Sequence, residues 1–247
     1  MSEPILIRYR FTLPNGAHRS FKFSFDPMNF RLINPAPANP PFWTKLQFNQ
    51  CANCPLSAAE HPHCPVALQM VGAIDELKAL ASFDTVHVTV EQSERSVYAA
   101  TSVQQAMSSV FGLIMATAGC PWADHLRPMA RFHLPFAGDA DTVYRCISMF
   151  VLAQKIIGND APTAYSDLRR LYENLHILNR DMARRIGAAT PSDPARNAIA
   201  LLDSYTMLLP HALEQSLAEF APLFEAWRPE PAKPAKSAQT ASTQEAI

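Results

Sequence analysis

The 247-residue chain has no excess of one charge, no long apolar run and few cysteines. Its 21 basic and 22 acidic side chains leave a formal net charge of -1, which provides no field to attract nucleic acid or an anionic membrane. The longest apolar run, Val110 to Ala118, is far shorter than the roughly 20 residues that a bilayer span requires. Met1 to Thr12 lacks the basic and apolar regions of a signal peptide. We therefore expect a soluble, cytoplasmic protein that binds neither nucleic acid nor a membrane.

Sequence motifs of common enzyme classes are also missing. The chain contains no Gly-x-Ser-x-Gly, no Gly-x-x-x-x-Gly-Lys, no Gly-x-Gly-x-x-Gly and no His-Glu-x-x-His. These absences lower the expectation of an enzyme, although they leave uncommon chemistry open.

The periodicity of apolar residues changes near residue 100, from the pattern of strands to the pattern of helices. Before that point, period-two alternation predicts two hairpins, at Ile5–Phe25 around an Asn-Gly turn and at Val86–Ala99. After it, capping signals and helical periodicity predict long helices, with α-helix also expected at Pro65–Leu80. We predict an α+β fold in which a small antiparallel sheet of about four strands packs on a helical bundle, with a Cys-rich metal-binding loop between them.

The predicted domain organisation is a single α+β domain over residues 1–227. Residues 1–100 hold the hairpins and the Cys-rich segment, and residues 101–227 hold the helical bundle. The remaining residues, 228–247, are rich in Pro, Ala, Lys, Ser and Thr without an apolar period, which predicts a disordered tail.

Cysteine spacing indicates a metal site. Five cysteines without an export signal argue against a disulfide framework and favour metal or redox chemistry. The Cys51-x2-Cys54 pair forms a knuckle that suits one tetrahedral ion, with further ligands at Cys64 and Cys120. Cys54, Cys64 and Cys120 each precede proline, so each is a candidate helix N-cap, where the helix dipole stabilises a thiolate. Cys146, in contrast, falls on an apolar helix face and is predicted to be a core thiol.

Two alternatives to a four-cysteine zinc site stay open. His61 or His63 can replace Cys120 as the fourth ligand, which gives a purely local site. Four cysteines also suit an iron-sulfur cluster, although the compact spacing of ferredoxins is missing.

A second candidate site is an anion-binding group at His125, Arg127, Arg131 and His133. The two arginines are four residues apart, so on a helix both guanidinium groups project from one side and can hold a carboxylate or phosphate. The competing interpretation is that these arginines pair with acidic groups such as Asp124. The arginines between Arg169 and Arg185 alternate with acids and are interpreted as a solvated mixed-charge face.

The Ala116–Pro135 run contains Gly119-Cys120-Pro121 and Arg127-Pro128-Met129-Ala130-Arg131-Phe132-His133-Leu134-Pro135. Together with the upstream Cys51/Cys54/Cys64 set, it resembles an uncharacterised bacterial protein family, and the resemblance implies no activity, ligand or partner. The leading hypothesis is a cytoplasmic interaction or regulatory protein, with an unknown protein partner, in which structural zinc fastens sheet to helices. The alternatives are an iron-sulfur redox or sensor protein and an enzyme working at the 125–133 group.

Overall fold

The computed structural model describes residues 3–159, 165–190 and 193–227. The predicted tail at 228–247 and the predicted helix starts near Pro162 and Ser192 lie outside these residues. None of the helices within the described ranges is long and apolar enough to cross a membrane.

Strands and helices follow the predicted division of the chain. The strands are β1 (Ile5–Thr12), β2 (His18–Phe25), β3 (Thr85–Glu91) and β4 (Ser96–Ser102). The helices are α1 (Pro65–Leu77), α2 (Val103–Thr117), α3 (Arg127–Arg131), α4 (Asp139–Ile156), α5 (Ser166–Ala189) and α6 (Asp193–Phe220). Short 3-10 turns cover Phe42–Thr44, Ala123–Leu126 and Ala221–Trp227.

The four strands form one antiparallel sheet in the order β2-β1-β3-β4. The first hairpin runs in register from Ile5 opposite Phe25 to Thr12 opposite His18. Its turn closes at Gly16, whose positive φ of 79° is the conformation that the Asn-Gly pair predicts. The α+β class and the four-stranded antiparallel sheet are therefore confirmed.

One face of the sheet is buried and contributes eight side chains to the core. Along β1, β2 and β3 the buried side chains alternate, as the period-two pattern predicts, and they are Ile7, Tyr9, Phe11, Phe23, Phe25, Val86, Val88 and Val90. Full burial of such a side chain contributes roughly 1.5–3 kcal/mol. Helix α2 contacts β3 and β4 on one side and α6 on the other, so it joins the sheet to the helical half.

Local signals explain where helix α2 begins and ends. The Ser102 hydroxyl accepts a hydrogen bond from the backbone N–H of Gln105 at 3.3 Å, as an N-cap should. Gly119 follows the helix with a φ of +94°, a conformation that suits glycine. This turn delivers Cys120 to the end of α2. Helix α6 continues past Pro210 to Phe220.

Candidate metal centre

Four of the five cysteines lie around one small cavity. Cys51, Cys54, Cys64 and Cys120 line it together with apolar side chains from α1 and α5, and its volume is about 20 Å³. A water molecule needs about 10–15 Å³ measured in this way, so the cavity accepts one ion or water rather than a larger group. All four thiols are free, and Cys146 is fully buried elsewhere in the core, as predicted.

The four cysteines line the same cavity, but their side chains are not arranged around one metal position. Within residues 3–159, 165–190 and 193–227, no group of three or more His, Cys, Asp or Glu side chains is arranged to hold a metal ion. Ligation of an ion therefore requires the side chains to turn inward.

The knuckle that carries Cys51 and Cys54 is a tight turn fixed by distant elements. The N–H of Cys54 donates to the carbonyl of Cys51 at 3.0 Å. Between them, the Ala52 N–H donates to the Asp181 carboxylate at 2.7 Å, and the Asn53 carbonyl accepts from the Trp122 indole at 2.7 Å. These contacts fix the knuckle against α5 and against the segment that follows Cys120.

Cys64 is the N-cap of helix α1, with Pro65 at the first helical position, as predicted. Its N–H donates to the Thr44 carbonyl at 2.8 Å, which ties it to the segment before the knuckle. The same N-cap prediction is wrong for Cys54, which no helix follows, and for Cys120, because the 3-10 turn there begins only at Ala123.

Burial and mutual repulsion raise the pKa of Cys51, Cys64 and Cys120. Burial is the main cause for Cys51, whose pKa rises to about 12, and the negative charges that Cys64, Cys120 and Cys54 would carry add to the rise. Burial likewise raises the pKa of Cys120 to about 11 and that of Cys64, although backbone N–H groups nearby oppose both shifts. Arg185 opposes the rise at Cys51 and Cys64. The thiols and Arg185 therefore lie within electrostatic reach of one another.

Arg185 is a fully buried cation, although the charge pattern of its helix predicts a solvated face. Its side chain is 1% exposed, and it donates to the carbonyls of Trp43 at 2.8 Å, Lys45 at 2.7 Å and Leu46 at 2.9 Å. Across the described part of the chain, no carboxylate forms an ion pair with Arg185. Asp181, one turn earlier, is also 1% exposed, so the solvated-face interpretation is wrong for both residues. The sequence signal for this burial is the four-residue spacing of Asp181 and Arg185, which places both on the helix face that carries Leu178 and Met182.

The histidine alternates lie away from the cavity. His63 Nδ1 forms a hydrogen bond with the Thr44 hydroxyl at 2.7 Å, and His61 is exposed. Neither residue lines the cavity that the cysteines share.

The residues of the predicted anion site do not converge. Arg127 pairs with Asp124 at 2.6 Å, and Arg131 stacks over the Phe30 and Phe132 rings. His125 is exposed, whereas His133 is buried and forms a hydrogen bond with the Tyr9 hydroxyl at 2.5 Å. Burial, with a smaller contribution from Arg145 and Arg95, lowers the pKa of His133 to about 3. His133 lines a second and larger cavity, whereas the other three side chains do not.

Comparison with known proteins adds one finding. A family model described as a domain of unknown function (DUF6901) matches residues 7–225, which confirms the resemblance to an uncharacterised family. No curated protein and no solved structure matches the chain.

Proposed function

Because the chain belongs to the family described as a domain of unknown function (DUF6901), we propose a function from the geometry of its cysteines alone. The protein binds one zinc ion at Cys51, Cys54, Cys64 and Cys120, and the ion has a structural role. The observation that carries the proposal is that four cysteines from three separate segments line one cavity of about 20 Å³. Four sulfur ligands in tetrahedral arrangement are typical of zinc or of iron-sulfur centres.

Arg185 supports an occupant with a net negative charge. A zinc ion with four thiolates carries two excess negative charges, and a buried guanidinium beside it offsets part of that charge. Without such a partner, a side chain that is 1% exposed and unpaired with any carboxylate in the described residues is costly to bury.

The proposed ion fastens three segments that are far apart in sequence. The knuckle precedes α1, Cys64 begins α1, and Cys120 follows α2. Asp181 and Asn174 of α5 hold the knuckle from a fourth direction. Zinc would therefore close the contact between α1, α2 and α5, and the protein would serve as an interaction or regulatory domain whose fold depends on the ion.

An iron-sulfur cluster at the same cysteines is the second candidate. The chemistry of the ligands favours it equally, but the small volume of the cavity favours a single ion. A cluster predicts visible absorption and bound iron after anaerobic purification, whereas zinc predicts a colourless protein.

The test is metal removal followed by equilibrium unfolding. The purified protein is dialysed against a strong chelator, and urea unfolding is followed by far-ultraviolet circular dichroism before and after zinc is returned. We expect the chelated protein to lose several kcal/mol of stability and to recover it with one equivalent of zinc. Unfolding curves that coincide with and without the metal contradict the structural role.

A further inference from the structure

A second cavity, of about 200 Å³, lies among helices α2 to α6. Its wall is mostly apolar, with Leu113, Met129, Leu175 and Leu202 among the lining side chains. An engineered cavity of about 150 Å³ in another protein binds benzene, so this volume holds a ring of that size with a small polar substituent.

Three buried polar side chains line the cavity, and each has hydrogen-bonding atoms without a protein partner among the described residues. Asn179 is 3% exposed, Ser108 is 6% exposed and His133 is 8% exposed. In the described part of the chain, the Asn179 amide and the Ser108 hydroxyl have no hydrogen-bond partner. His133 uses Nε2 to bond Tyr9, which leaves Nδ1 free. Buried polar groups are normally satisfied, so these atoms bond water or another molecule inside the cavity.

The charge at the cavity has one sign. Arg145 lines the cavity, and among the residues that the structure describes no aspartate or glutamate does. Its guanidinium donates from one nitrogen to the carbonyls of Met129 at 2.6 Å and Phe132 at 3.1 Å, which fixes its position. No carboxylate in the described ranges forms an ion pair with it, so its remaining N–H donors are available to an acidic ligand.

The cavity rim holds a residue in an unusual backbone conformation. Phe136 lines the cavity with a φ of 61°, which a bulky residue adopts at an energetic cost. Such strain concentrates at functional sites, where the surrounding structure maintains it.

We infer that this cavity is a binding site for a small monocarboxylic acid with an aromatic or branched apolar body. The apolar body lies against the Leu113, Leu175 and Leu202 side of the cavity, and the carboxylate is recognised by Arg145. Asn179, Ser108 and His133 Nδ1 supply further hydrogen bonds. The site is independent of the metal, although α5 lines both cavities, with Leu175 and Asn179 facing the larger one and Leu178 and Met182 the smaller one.

The experiment is isothermal titration calorimetry of the purified full chain with phenylacetate, phenylacetamide and phenethylamine. These probes share a ring and differ in charge. We expect phenylacetate to bind saturably at one site per chain, the amide to bind roughly tenfold or more weakly, and the amine not to bind, because a charge-assisted hydrogen bond contributes more than a neutral one.

Two variants and one control locate the site. Arg145→Gln should weaken phenylacetate by roughly tenfold or more and leave the amide nearly unchanged. Ala116→Leu should fill the cavity and abolish binding of both probes. Arg170→Gln makes the same charge change at an exposed arginine paired with Asp167, and it should bind like the unmodified chain.

Each contrary outcome overturns a stated part of the inference. If no probe binds, or if Ala116→Leu binds like the unmodified chain, the cavity holds water only. Equal affinity for acid and amide, or preference for the amine, contradicts the assignment of Arg145 to a carboxylate. Circular dichroism and metal content of each variant show whether the fold persists, so loss of the fold is distinguished from loss of the site.

Discussion

Replacing Arg185 with methionine should destabilise the protein more than any single charge removal on its surface. The change deletes the donors to the carbonyls of Trp43, Lys45 and Leu46 while keeping an apolar side chain of similar length. Hydrogen bonds from a charged donor contribute about 1.5–3 kcal/mol each, but the variant also avoids the cost of burying a cation. Each of the three carbonyls left without a donor costs about 1–3 kcal/mol, and the avoided cost of burying a cation offsets part of this, so the net loss is a few kcal/mol. Folded domains have about 5–15 kcal/mol in total, so the loss is easily measured.

The matched control is Arg184→Met on the neighbouring residue. Arg184 is 59% exposed and lies 3.4 Å from Asp181, so its removal should cost less than about 1 kcal/mol. Urea unfolding of both variants, each with excess zinc and with chelator, provides the measurement. Arg185→Met should also bind zinc roughly tenfold more weakly, because groups that surround a metal site tune its affinity.

If Arg185→Met unfolds at the same urea concentration as Arg184→Met and binds zinc equally well, the buried guanidinium neither fixes the 43–46 segment nor offsets the charge of the centre. Arg185→Lys should lie between the two variants, since one ammonium group cannot reach three carbonyls in the same fork.

Asp181→Asn should lower stability by about 1–2 kcal/mol in thermal unfolding, because the side chain loses its ion pairs with Arg180 and Arg184. The asparagine side chain can still accept a hydrogen bond from the Ala52 N–H. An unchanged melting temperature contradicts this prediction. The pKa of His133 is lowered from 6.5 to about 3 in the folded protein, so its contribution to stability is present above pH 6.5 and is lost progressively as pH falls towards 3. As pH falls from 6.5 to about 4.5, the unmodified chain should therefore lose about 2–3 kcal/mol of unfolding free energy relative to His133→Gln. A difference between the two proteins that stays constant over this pH range refutes the prediction. Cys146→Ala should cost roughly 1 kcal/mol or more in urea unfolding and leave the zinc content unchanged, since this thiol is buried away from the cavity; loss of zinc would place it among the ligands.

The sequence predicts the sheet well because its signals are local. Alternation from Ile5 to Phe11 and from Phe21 to Phe25 determines which side chains face inward, and the Asn15-Gly16 pair determines the turn. The neighbour of β1 on its other side is β3, and this order depends on packing between distant segments, which local patterns do not encode.

The sequence also identifies the four cysteines that share a cavity, but it misjudges what surrounds them. Proline after cysteine predicts an N-cap, yet only Cys64 begins a helix. Asn53, just before Cys54, instead bonds Asn174 of α5, and Trp122, just after Cys120, bonds the Asn53 carbonyl. The mixture of basic and acidic residues in α5 predicts a solvated face. Arg185 and Asp181 are nevertheless buried, since the 42–54 segment folds over them and uses their hydrogen-bonding groups.

The larger cavity could not be predicted from the sequence. Its polar lining comes from α2, α4, α5 and the segment after α3, and none of these residues lies near another in a recognisable motif. Among the residues of the predicted 125–133 site, His133 alone lines this cavity, and Arg145, which also lines it, lies outside that stretch.

The most direct test of the account is the zinc content of three anaerobically purified proteins, measured by elemental analysis together with an absorption spectrum. The unmodified chain and Cys146→Ala should each contain one zinc per chain and no visible absorption, and Cys120→Ala should contain little or none. Equal metal content in Cys120→Ala and Cys146→Ala, or the absence of metal from all three proteins, contradicts a centre built from Cys51, Cys54, Cys64 and Cys120.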